Sequence, residues 1–187
     1  MTLITSGSRG WAEFYADHGP LFLRAQNVRR DGSLLLDDMA HVRPARESEG
    51  SRTRVQKDDL LVVITGAGVS QATRVKQDLG EAYVSQHVAL IRVREPAFAP
   101  WLDLQFHAPA GCFGQLQELI YGAKPGLNLE NLRELELSIP PLAEQQRIVA
   151  KVDELMRWCD VLEAQLAAAQ TTATKLLDAT LRGILTA

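Results

Sequence analysis

The chain has 187 residues, 46% hydrophobic and 23% charged, with a net charge of −3 from 20 basic and 23 acidic residues. That is a globular composition, and it excludes a polybasic protein that holds nucleic acid by bulk attraction alone. Two cysteines without metal spacing, Cys112 and Cys159, predict reduced thiols and a cytoplasmic protein, and no stretch reads as a signal peptide or reaches the ~20 apolar residues of a membrane span.

In chain order, Ile4 to Trp11 is polar and Gly-rich and predicts a loop with an aromatic anchor. It begins abruptly, as though a relative carried residues before it. Phe22 to Val28 alternates and predicts a strand with Arg24 and Gln26 near its end. Asp31-Gly32 signals a hairpin turn, with Ser33 to Leu36 as the return strand. Arg43 to Lys57 is a long polar stretch with five basic residues, Arg43, Arg46, Arg52, Arg54 and Lys57. A solvated loop is its plainest reading. Asp59 to Thr65 is apolar at successive positions and predicts a central strand, ended by Gly66-Ala67-Gly68. Ala82–Val84 and Val88–Val93 predict further strands around the polar Ser85-Gln86-His87. Trp101 to His107 and Phe113 to Tyr121 look helical, and Asn128 can cap a short helix, Leu129 to Arg133. Leu135, Leu137 and Ile139 alternate as a last strand before Pro140-Pro141.

Beyond the prolines the pattern changes period. Ile148, Val152, Leu155, Cys159, Leu162, Leu166, Ala169, Ala173 and Leu176 follow in unbroken steps of four and three. That is a heptad seam, which predicts a coiled-coil helix from Leu142 to Leu185, about 65 Å long at 1.5 Å per residue. The expected fold class is therefore α+β: a strand-rich domain, 1–139, followed by one long C-terminal coiled-coil helix, 140–187. The seam serves oligomerisation or partner docking.

No catalytic constellation emerges. Gly66-x-Gly68 lacks the rest of a dinucleotide or phosphate-loop fingerprint, and His18, His41, His87 and His107 have no ligand spacing, so neither metal nor cofactor is expected. The carboxylate pairs Asp37-Asp38 and Asp58-Asp59 read as turns or caps. What remains is a set of hydrogen-bonding side chains in loops and at strand ends: Ser6, Ser8, Arg9, Arg24, Gln26, Arg29, Ser85, Gln86 and His87. Arg and Gln are types that read base edges, and Arg with Ser also grips phosphate. With Arg43, Arg46, Arg52, Arg54, Lys57 and Arg74 they form the candidate DNA-binding set.

The run Leu129 to Leu155, and above all the segment from Ile139 to Leu155, "IPPLAEQQRIVAKVDEL", closely resembles the end of a target recognition domain entering the long helix of Type I restriction–modification specificity subunits. Phe22–Val28, Asp59–Ala67 and Tyr83–Leu90 are also similar to them. The resemblance implies a non-catalytic subunit that reads one half of a split double-stranded DNA target and scaffolds DNA adenine methyltransferase subunits. A restriction and translocation subunit joins through the complex, and S-adenosylmethionine and ATP are bound by those partners, not here. Subunits of that family carry two recognition domains and two long helices, head to tail. This chain has one of each, so it is a half-length subunit, a fragment or the product of a disrupted gene. Pairing through the helix with a second copy or a second half-subunit would follow. The runner-up is a coiled-coil interaction module whose head binds protein instead of DNA; convergence of the basic residues on one face discriminates between the two. Within the resemblance, Gln26 and Ser85–His87 look like recurrent motif residues, so target choice is expected from Arg43–Lys57 and Ser70–Lys76.

Overall fold

Strand β4, Leu60–Val63, is apolar at every position and buried at every position. Such a strand must have both faces covered, and the rest of the head supplies the two covers. In the computed structural model, which describes residues 3–7, 9–43, 50–120 and 126–185, the chain divides into two compact units, Met1–Leu142 and Ala143–Ala187.

The first unit holds seven strands: β1 Leu3–Ser6, β2 Tyr15–Leu23, β3 Ala40–Val42, β4, β5 Ala72–Arg74, β6 Ala82–Val84 and β7 Val88–Arg92. They form a four-stranded antiparallel sheet, order β1-β7-β4-β5, and a three-stranded sheet, order β3-β2-β6, in which β2 and β6 run parallel. Helices α1 Ala99–Gln105, α2 Cys112–Leu119 and α3 Leu129–Arg133 follow. Alternate residues of β4 and β7 point to opposite sides. Leu60, Val62, Ala89 and Ile91 pack with Leu102, Phe106, Leu116 and Leu132 of the helices. Leu61, Val63, Val88 and Leu90 pack with Leu23, Val28 and Val84 on the side of the smaller sheet. A third cluster, Trp11, Phe22, Val42 and Tyr83, fastens the smaller sheet itself.

Asp59, just before β4, is 1% exposed and accepts two hydrogen bonds from Arg92, Nε to Oδ1 and Nη2 to Oδ2, both at 2.7 Å. Its Oδ2 also accepts the amide of Gln56 at 2.7 Å, and Arg92 Nη2 donates to the carbonyl of Arg54 at 2.9 Å. One forked ion pair thus ties the start of β4, the end of β7 and the preceding segment together.

Several expectations need correction. The opening is not a loop throughout: Leu3–Ser6 is an edge strand on β7, in register Leu3↔Arg92 to Ser6↔Ala89. Its polarity fits an edge, where only one side meets a neighbour. The strand expected over Phe22–Val28 ends at Leu23 and begins at Tyr15. Asn27 breaks it: its Oδ1 accepts the amide of Arg24 at 2.9 Å while its own amide donates to the Arg24 carbonyl at 2.9 Å, closing a tight turn over Ala25–Asn27. Side-chain competition of this kind ends a ladder. The turn at Gly32 forms, with φ +76°, but the return strand reduces to a single bridge, Val28↔Leu34. Leu135–Ile139 is not a strand. Its backbone is held by side chains instead: Trp101 Nε1 donates to the Ser138 carbonyl at 2.9 Å, and Gln115 bonds both the carbonyl and the amide of Glu136. Strands β3 and β5 had no forecast, and Tyr121–Pro125, expected to end a helix and begin a turn, lies outside the described residues. Asn128 caps α3 as expected, exchanging side-chain and backbone bonds with Asn131 at 2.9 Å.

The second unit continues helix α4, Leu142–Leu185, 44 residues without a break. Ion pairs Glu144–Arg147 at 2.7 Å and Lys151–Glu154 at 2.9 Å brace its surface, and the hydroxyls of Thr171, Thr172 and Thr174 donate back to carbonyls four residues earlier. Leu155, Leu162, Leu166 and Leu176 are each more than half exposed. Among the described residues no helix is long and apolar enough to cross a membrane, and no cluster of His, Cys, Asp and Glu is arranged to hold a metal ion.

Arg92→Ala leaves the Asp59 carboxylate buried without its cation and is expected to cost on the order of 3 kcal/mol in urea unfolding. Arg92→Lys, which cannot supply the fork, is expected to recover only part of that loss.

Candidate nucleic-acid interface

A cleft of about 320 Å³ opens on the first unit, lined by Gly10, Trp11, Tyr15, Phe22, Arg24, Ala25, Gln26, Ser85, Gln86 and His87. Its floor is the aromatic cluster. Trp11 lies against Phe22 and Tyr83 with ring centroids 5.2 and 5.4 Å apart, and Tyr15 stands edge-on to Phe22 at 5.6 Å. Trp11 and Phe22 are buried; Tyr15 is 50% exposed.

Two turns form the polar rim, and each is fixed by backbone bonds. The first is Arg24–Asn27, whose Asn27 side chain reaches on to the Leu35 carbonyl at 3.2 Å. The second is Ser85–His87, between β6 and β7. The Ser85 amide donates to Leu23 at 2.8 Å, the Ser85 carbonyl accepts from Gly7 at 3.2 Å and Val88 at 3.0 Å, and the His87 carbonyl accepts from Ile64 at 2.9 Å. Gly7 has no room for a side chain: a Cβ there would collide with the backbone of Val84 and Ser85. With their backbones spent inward, Gln86 and His87 are left exposed, their side chains bonded to each other at 3.1 Å. Arg24 is half-buried, and its Nε is shielded from solvent with no hydrogen-bond partner among the described residues.

The cleft therefore gathers Arg24, Gln26, Ser85, Gln86 and His87 of the candidate set. Arg9 is exposed and adjoins Gly10, whose φ of +94° turns the chain into the cleft wall. Ser6 closes β1 opposite Ala89. Arg43 is exposed and its amide bonds the Phe14 carbonyl at 2.8 Å, beside Tyr15. Arg29 is exposed on the turn before Gly32, and Arg52 on a short turn, Ser51–Thr53. The remaining basic residues do not join this cleft. Arg54 forms a bridge with Tyr83, and Lys57 lines a second cleft of about 310 Å³ with Asp58, Asp59, Arg92 and Arg94. Arg74 is held between Asp58 at 2.8 Å and Asp103 at 3.8 Å. Ser70–Lys76, expected as a reading loop, contains strand β5, with Ala72, Thr73 and Val75 buried and Ser70 Oγ bonded by Gln117 at 2.6 Å. Ser8 and Arg46 lie outside the described residues. Tyr15, Trp11 and Phe22 as cleft residues escaped the sequence reading, because the irregularity at Gly19-Pro20, between Ala16 and Leu21, breaks the alternation that would have joined Tyr15 to Phe22.

Comparison with known proteins bears on what such a cleft serves. Residues 51–169 match the model of the family described as "Type I restriction modification DNA specificity domain". The Type I restriction enzyme EcoBI specificity subunit of Escherichia coli is 27% identical over 162 residues, 84% of this chain and 34% of that protein. The EcoEI specificity subunit of Escherichia coli is 34% identical over 139 residues, 67% of this chain and 22% of that protein. The chain thus spans between about a fifth and about a third of the length of these curated relatives. Among solved structures, a chain from a study of complex assembly and conformational transition of the type I R-M system superposes with a TM-score of 0.68 at 19% identity, over 92% of this chain and 40% of that one. The crystal structure of the HsdS subunit from Thermoanaerobacter tengcongensis gives 0.64 at 21% identity, over 83% of this chain and 40% of that one. These two likenesses establish a shared fold. With the family model covering well over half of its residues, this chain belongs to the Type I restriction modification DNA specificity domain family.

Proposed function

We propose that this chain reads one half of a bipartite double-stranded DNA target and holds methyltransferase subunits for a Type I restriction–modification complex, without catalysing any step itself. The observation that carries this reading is the convergence of Arg24, Gln26, Gln86 and His87 on one rimmed cleft in a member of that family. The first unit is the target recognition domain. Helix α4 is the spacer and docking rod, and its exposed seam is covered in the complex by a second copy, a second half-subunit or the methyltransferase. The restriction and translocation subunit joins through the assembled complex. S-adenosylmethionine and ATP belong to the partners. The protein acts in the cytoplasm, where DNA and partners are.

Charge limits what the chain does alone. With 20 basic and 23 acidic residues, it has few phosphate contacts to spend, and phosphate contacts dominate affinity. Binding by the isolated chain is expected to be weak, with a shallow dependence on salt because few counterions are released, while the methyltransferase completes the grip. Exposed Arg43 and Arg52 suit the variable part of the interface, and the Ser85–His87 turn suits a contact shared by all targets.

Three measurements test this reading. Co-expression with the cognate methyltransferase should yield a stable complex that methylates adenines at one sequence; a complex that assembles but methylates without sequence preference overturns the recognition role. Arg24→Ala should leave the melting temperature within about 2 °C, as for a half-buried side chain whose Nε bonds no other described residue. It should weaken duplex binding roughly tenfold, the loss expected for one charged contact. Leu155→Asp with Leu162→Asp should reduce the assembly mass in sedimentation and open Cys159 to maleimide. Cys112 is the internal control: burial pushes its thiol up to about 11, so it should stay unlabelled in both proteins until they unfold.

A further inference from the structure

The cleft holds more than a phosphate contact needs. A phosphate offers only acceptors and calls for cations and N–H donors. Here the floor is aromatic and the rim mixes donors with acceptors: Arg24 supplies N–H groups, while the amides of Gln26 and Gln86 offer both an N–H₂ and a carbonyl. A ligand with a flat apolar face and an edge carrying both donors and acceptors matches that combination. A nucleobase is such a ligand.

Size and accessibility point the same way. About 320 Å³ is at the lower bound of small-molecule pockets, room for one heterocycle. Tyr15 is half exposed and braced upright on the buried Phe22, so it offers a ring that does not have to be ordered on binding.

We infer that this cleft takes a single unstacked nucleobase from the bound DNA, stacked on Tyr15 and hydrogen-bonded along its edge by Arg24 and Gln86. The inference rests on the reading of this face as the DNA interface. It makes Tyr15 a binding residue that recognises a base by its face, in addition to whatever groove contacts the surrounding loops make. Pulling a base from a paired stack has a cost, which an already unpaired base avoids.

The test uses the full chain and three fluorescent duplexes of one sequence at low salt: fully paired, with one central unpaired thymidine, and with an abasic site in place of that thymidine. The abasic duplex keeps the bend of the bulge and lacks the base. The thymidine bulge is expected to bind roughly tenfold tighter than the other two, near the lower end of base–aromatic stacking. Tyr15→Leu, which keeps apolar bulk without a ring, is expected to abolish that preference, so that the three duplexes bind alike. Tyr15→Phe is expected to retain it. Equal binding of the three duplexes, unchanged by Tyr15→Leu, overturns the base cleft and leaves the DNA interface standing. Failure to bind any of the three overturns both.

Discussion

Everything in the head follows from the need to cover both faces of β4 and β7. Leu60–Val63 and Val88–Ile91 carry no polar side chain, so neither side can meet water. One side receives the three helices and the other the smaller sheet. The ion pair of Asp59 with Arg92 fixes the ends of these two strands against each other, and it does so at a place where a one-residue slip would exchange the two sides. Register, layer order and the placing of the β6–β7 turn are all set there. The turn that carries Gln86 and His87 is simply where β7 begins.

The interface depends on this scaffold through hydrogen bonds that face inward. Neither Arg24–Asn27 nor Ser85–His87 belongs to a strand, yet both are pinned by bonds to strands or to the Asn27 side chain. Their exposed side chains therefore start from a fixed backbone, which lowers the ordering cost of binding. Fixed geometry matters more here than charge. A chain with a net charge of −3 cannot rely on attraction at a distance, so contacts have to be few and well placed.

Sequence reasoning worked where one residue pattern had one physical solution. The apolar run at Leu60 had to be a central strand, Asn128 had a helix to cap, and an unbroken four-three repeat without proline or glycine had to be a long helix. It failed where tertiary partners decided the outcome. Leu135, Leu137 and Ile139 alternate like a strand, but Trp101 and Gln115 take the backbone bonds a strand would need. Leu3–Ser6 looks too polar for a strand and becomes one because β7 offers a free edge. The polar members of the cleft were legible as residue types, since Arg, Gln and His in loops suggest contact. Which of them meet was not legible, because Arg24 and Gln86 are joined only by the parallel pairing of β2 with β6. Arg74 shows the converse: a basic residue with the right composition, taken up by Asp58 and Asp103.

The pairing of β1 with β7 has a consequence for the order of folding. Leu3 finds Arg92 as its partner, so β1 has nowhere to dock until β7 exists. Contacts between such distant segments carry a large loop-closure entropy and form late. The same closure brings Gly7 onto the Ser85 carbonyl. Until then the Ser85–His87 turn is only partly held. The cleft is completed when β1 closes on β7.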